Sequence, residues 1–154
     1  MRRILLTSVL AAATMAALAP PAASDAVYHS AMIPFSAIGN APLRSGFVEN
    51  IHANGPIVFA HEQYVVNGAE PNTTYTVVIT IFVKDPTCSN AGTFSFPTAT
   101  LKTNSAGDGT AHHVFTPEDA TNAGIRGLLV GGMWQLVANG TPEYATGCAA
   151  VQLD

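Results

Sequence analysis

The chain has 154 residues, 48% hydrophobic and only 10% charged, with six basic against ten acidic side chains. The few basic residues are scattered, so no positive patch suited to nucleic acid or an anionic membrane surface is expected. The length is that of a single domain with a core of its own.

The first residues form a separate unit. Arg2 and Arg3 precede an apolar run over 4–18, and small residues follow over 19–23. This is the pattern of a secretory signal peptide over 1–26, and the run is too short for a stable membrane span. Cleavage before Ser24 leaves Arg44, Lys84, Lys102 and Arg126 against ten acids, a net charge of −6, and cleavage before Val27 also removes Asp25, giving −5. The expectation is therefore a secreted protein, extracellular or periplasmic, with no membrane insertion after cleavage. Residues 27–154 form its single domain, with 27–56 an N-terminal extension whose place the pattern does not fix.

Along that domain the signals are those of strands and turns. Residues 31–38 predict an edge strand, because Pro34 cannot donate to a ladder, and 45–51 predict a short strand. The turn at 52–56 is followed by a long strand over 57–67. In that strand Val58, Ala60, Glu62, Tyr64 and Val66 share one parity, and His61 and Gln63 lie on the other. Ile57, Phe59 and Val65 share that second parity, so the alternation is poor, which fits a strand that switches partner or carries a bulge near His61 and Glu62. The turn over 67–72, rich in Asn, Gly and Pro, leads into the clearest strand of the chain, 74–83. There Tyr75, Val77, Ile79, Ile81 and Val83 alternate with Thr74, Thr76 and Thr80. The two strands read as a hairpin.

A loop over 85–92 holds Cys88. The strand over 93–103 changes phase at Pro97, where a bulge or break is expected. Asp108-Gly109 marks a hairpin turn before a strand over 110–115. Thr116, Pro117, Glu118 and Asp119 supply an N-cap, a proline at the first helical position and acids in the first turn, and Gly124 ends the short helix. Residues 125–138 predict a strong strand in which Gly131-Gly132 permits a bulge or a close backbone approach. Asn139-Gly140 is a hairpin signal, and 144–153 is the closing strand.

Two motifs carry a family resemblance. Gly68-x-x-Pro-Asn-Thr-x-Tyr-x-Val77 and Thr103-x-x-x-Gly-Asp-Gly-x-x-x-x-x-Phe-x-Pro117 resemble the Ig-like β-sandwich modules of exported bacterial proteins. The resemblance implies an all-β fold: an Ig-like antiparallel β-sandwich of about seven to eight strands with one short helical turn near 117–123. It also implies that the loop over 85–92 and the hairpin near 139–143 lie at one end of the sandwich. Cys88 and Cys148 would meet there.

Independently of fold, two cysteines in an exported chain make a Cys88–Cys148 disulfide the expectation. Neither lies in a C-x-x-C pair, and no histidine stands near either. No Gly-x-Ser-x-Gly nucleophile or phosphate-binding glycine loop occurs. The segment after Cys148 lacks the His and Met of a blue-copper site.

His61, Glu62, His112 and His113 are the candidate metal ligands or acid–base groups. The adjacent His112 and His113 point to opposite faces of a strand. Trp134 is expected in the core. Asn72 and Asn139 sit in N-x-T sequons, relevant only in a eukaryotic secretory pathway.

The composite reading is an exported, non-catalytic protein with a binding or structural role at or outside the cell envelope, without a cofactor. Its partner, a protein or a cell-surface carbohydrate, would meet the loop end through Asp85, Asn90, Glu143 and Tyr144. The alternatives are a metal protein or enzyme using His61, Glu62, His112 and His113, and a subunit of a surface assembly.

Overall fold

The computed structural model describes residues 29–52 and 60–153. The leader read over 1–26, most of the turn read over 52–56 and the start of the strand read over 57–67 lie outside them. No helix among the described residues is long and apolar enough to cross a membrane.

The described residues contain nine strands: β1 (His29–Ala37), β2 (Ser45–His52), β3 (Ala60–Asn67), β4 (Thr74–Val83), β5 (Phe94–Lys102), β6 (Gly109–Phe115), β7 (Leu129–Ala138), β8 (Thr141–Thr146) and β9 (Ala149–Gln152). The helix α1 (Pro117–Asn122) lies between β6 and β7. All pairings are antiparallel, and the sheet runs β5-β4-β7-β8-β1-β2-β3-β6, with β9 continuing beside β7. The two ends of this path, β5 and β6, come side by side, so the sheet nearly closes into a barrel.

The all-β antiparallel expectation stands, but the pairing is not that of the Ig-like arrangement. β3 and β4 do not form a hairpin. β3 pairs β2 and β6, whereas β4 pairs β5 and β7. The turn between them is real, with Gly68 at φ 65° and Asn72 at φ 53°, but its backbone bonds go elsewhere. Ala69 N–H donates to the Gly107 carbonyl, Asn72 N–H to the Asn104 carbonyl, and Gly68 N–H to Asp108. The connection thus crosses one end of the barrel locked to the β5–β6 turn. That turn in its own right joins the two sheet ends and carries no ladder. The hairpin read at Asn139-Gly140 does form, with both residues at positive φ between paired Ala138 and Thr141.

β1 is not an edge strand. It pairs β2 from His29 to Pro34 and β8 from Phe35 to Ala37. Pro34 stands where the strand changes partner, a place that tolerates a missing N–H. β1 and β2 complete the barrel wall, so the part of the 27–56 extension that is described belongs to the sheet.

In β3 no register shift occurs against either neighbour, and burial alternates regularly from Ala60. The expected bulge is absent because Glu62 points inward as a regular member of the apolar parity. In β5 the expected irregularity is present: Val77 faces Ala99 and Val78 faces Pro97, leaving Thr98 as the extra residue. α1 begins as anticipated, with Thr116 N–H and Oγ1 both donating to Asp119 Oδ2, and Gly124 follows at φ 68°.

Cys88 and Cys148 are joined, with Cα atoms 5.9 Å apart. The bond forms for a different reason than the sandwich implied. The loop after Val83 lies beside Val130 at the start of β7, whereas the Asn139 hairpin lies at its far end. Those two loops are at opposite ends of the barrel. Cys148 instead occupies the break between β8 and β9, which brings it level with Gly132. Gly131 leaves the room: a Cβ there would stand 2.7 Å from the Cys88 sulfur.

One end of the barrel is filled. Val48, Tyr64, Val66, Tyr75, Val77, Leu101, Leu136 and Tyr144 are all fully buried, and the rings of Tyr75 and Tyr144 meet edge-on at 5.6 Å. The other end is open inside.

Candidate functional site

The inward positions of three neighbouring strands set the polar part of that open end. Register places Asn50 of β2 beside Glu62 of β3, and Glu62 beside His113 of β6. Paired residues on antiparallel strands share a face, so these side chains form one level of the inner wall.

Glu62 is 1% exposed. Asn50 Nδ2 donates to its Oε1 at 2.9 Å, while Tyr64 Oη and Trp134 Nε1 donate to its Oε2 at 2.5 and 2.9 Å. Tyr64 Oη also meets Thr98 Oγ1 at 2.8 Å, so the β5 bulge turns a hydroxyl into this network. Trp134 comes from β7 on the opposite wall and is completely buried. Its backbone N–H is taken by Thr146 Oγ1 at 3.0 Å. Gly132 lies so close that a Cβ there would meet the indole ring at 2.9 Å. The Glu62 network therefore ties β2, β3, β5 and β7 across the barrel and forms a floor between the packed end and the open end.

Beyond that floor lies a cavity of about 440 Å³, within the roughly 300–1,000 Å³ typical of small-molecule sites. Ile79, Ile81, Val130, Trp134, Val151 and Leu153 supply much of its apolar wall, with His52 and His113 as the imidazoles. Ala120, Ala123 and Ile125, from α1 and the residues after it, cover the end of the barrel. The side between β5 and β6 is closed by aromatic rings rather than by a ladder. Phe96 and Phe115 meet edge-on at 6.3 Å across it, and His113 stands 4.5 Å from Phe115. Phe94 and Phe96 are 39% and 38% exposed, high for residues that also line a cavity. They mark its mouth.

Burial raises the Glu62 carboxyl above its ordinary value of 4.5, against the opposing pull of its hydrogen bonds from Tyr64, Trp134 and Asn50. Burial first, and the neighbouring Glu62 charge second, likewise push the Tyr64 hydroxyl above the ordinary phenol range. The folded state thus binds the Glu62 proton more tightly than the unfolded chain does. Its contribution to stability is full below the ordinary carboxylate pKa and is lost as pH rises through the higher folded value. Glu62→Gln is expected to flatten this decline, because the Asn50 amide can reverse and accept from the new amide. Urea denaturation of both proteins at a series of pH values checks it. A native profile that rises with pH over that window while the variant's stays flat contradicts the assignment.

The candidate quartet is divided by the wall. Glu62 and His113 are inside, whereas His61 and His112 form an outer pair with ring centroids 6.0 Å apart. Among the described residues no group of three or more His, Cys, Asp or Glu is placed to hold a metal ion.

The loop candidates are also separated. Asp85 and Asn90 lie together near the disulfide, where the Asn90 N–H, ahead of the Thr87 hydroxyl, holds the Asp85 carboxyl below its usual value. Glu143 accepts from Tyr75 Oη at 3.0 Å. Tyr144 is fully buried, donating to the Pro42 carbonyl and accepting from Glu70 N–H.

No family model, curated protein or solved structure matches the chain. The site therefore rests on its own geometry.

Proposed function

We propose that the protein is exported and binds a small, largely apolar molecule inside its barrel. The observation that carries this reading is the cavity itself: apolar walls, one anchored carboxyl at the floor and an aromatic mouth at the unpaired seam. Pockets of this composition, mostly apolar with a few fixed polar groups, are the common form of small-molecule sites. Export is supported by the leader-like pattern over 1–26 and by the Cys88–Cys148 bond, which suits an oxidising compartment. Binding rather than catalysis is favoured because three hydrogen bonds from the protein's own side chains already fix the carboxyl in place.

Trp134 is the only tryptophan and lines the cavity, so its emission reports on occupancy. Titration with N-phenyl-1-naphthylamine, an uncharged aromatic probe, is expected to be saturable and to change the Trp134 signal. Ala60→Phe, which projects a ring into the cavity from β3, should abolish the response while leaving the far-ultraviolet circular dichroism unchanged. Absence of saturable binding to the native protein would sink the proposal.

A further inference from the structure

We infer that the molecule held in the barrel is a hydrophobic amine, whose ammonium group pairs with Glu62 while its apolar body fills the cavity. This rests on the ligand-binding reading above and names the chemistry of that site.

Among the described residues, the cavity lining includes two carboxyl residues, Glu62 and Asp119, and the imidazoles His52 and His113, but no Lys or Arg. Asp119 Oδ2 is occupied at the start of α1 by Thr116. Glu62 stands at the floor with no fixed cation beside it in the lining. Buried carboxylates are ordinarily paired with a positive group.

An ionised carboxylate offers about four acceptor sites, and Asn50, Tyr64 and Trp134 fill three of them in Glu62, one on Oε1 and two on Oε2. Among the described residues these partners leave one site on Oε1. All three are neutral donors, the arrangement that suits the charged form of the carboxyl. Solvation is provided without a countercharge, and an ammonium N–H at the remaining site supplies both. Where Glu62 carries a proton in the empty barrel, that proton passes to solvent as the ammonium arrives.

Phe94, Phe96, Phe115 and Trp134 all line the cavity, and aromatic faces attract cations, the more so when water is excluded. Trp134 serves both purposes, since its indole N–H orients the carboxylate while the ring forms part of the wall. An anionic ligand would meet Glu62 with no fixed cation to offset the repulsion. A neutral ligand would leave Glu62 to be neutralised by a proton instead of a partner.

The test compares 4-phenylbutylamine with 4-phenylbutanol by isothermal titration calorimetry on the disulfide-bonded protein. The two probes share size and apolar body and differ in the head group. The amine is expected to bind at least about tenfold more tightly, the scale of a charge-assisted hydrogen bond. In Glu62→Gln the two affinities should become similar, through loss on the amine side alone. If the alcohol binds the native protein as tightly as the amine, the amine assignment is overturned and the binding reading stands. If neither probe nor N-phenyl-1-naphthylamine binds, the binding reading itself fails. Should Glu62→Gln not fold, the ratio measured on the native protein alone decides the matter.

Discussion

Trp134→Ala is expected to be the most damaging single substitution in the chain. The side chain is completely buried, and truncating a buried aromatic residue costs about 3–5 kcal/mol through lost burial and the cavity left behind. Here a second loss is added, because Trp134 Nε1 is one of the two donors to Glu62 Oε2. Trp134→Phe separates the two effects. It keeps most of the ring packing and removes the donor, so about 1–3 kcal/mol is expected from the unsatisfied carboxyl. Chemical denaturation of the three proteins at pH 7 measures both steps. If Trp134→Phe is as stable as the native protein, Trp134 contributes by packing alone and the cross-barrel tie to Glu62 carries no energy.

Removal of the disulfide is the second large effect. The bond joins residues 60 apart in sequence, and in the chain-entropy model a closed loop of that length stabilises by roughly 4 kcal/mol. For a domain of this size that corresponds to a fall in Tm of roughly 10–20 °C. Cys88→Ser with Cys148→Ser is expected to show it in a thermal melt, as is the native protein under reducing conditions. The bond closes the end of β4 onto the break between β8 and β9, against Gly131 and next to the cavity wall at Gly132. Loss of ligand binding should therefore accompany the fall in Tm. A melt unchanged by reduction would overturn the expectation.

Most strands were legible in the sequence from local signals, although the single closing strand read over 144–153 is two strands, β8 and β9, broken at Gly147 and Cys148. Alternation in β4, the Asn139-Gly140 turn, the proline-marked bulge in β5 and the capped start of α1 are all local signals, and all were readable. Pairing was not, because it depends on where each connection leads. The turn after Asn67 has the residues of a hairpin, yet its N–H groups find the β5–β6 turn instead of closing a ladder.

The site was half visible. Glu62 was singled out, and its place among Val58, Ala60, Tyr64 and Val66 was the signal of an inward carboxyl. The strand was read as irregular there because both of its parities mix apolar and polar residues. The hydrogen-bond partners of that carboxyl, Asn50, Tyr64 and Trp134, lie 12, 2 and 72 residues away in sequence. Phe94, Phe96 and Phe115 looked like ordinary strand residues. Only the unpaired seam between β5 and β6 makes them a mouth.

The change of partner in β1 has a kinetic consequence. The first strand leans on β2 for two thirds of its length and on β8 for the remaining third, and β3 likewise waits for β6. Loop-closure entropy must be met before such distant pairings reward the chain, which makes barrels of this connectivity slow to form. The wall cannot be completed until β8, the eighth of the nine strands among the described residues, is available.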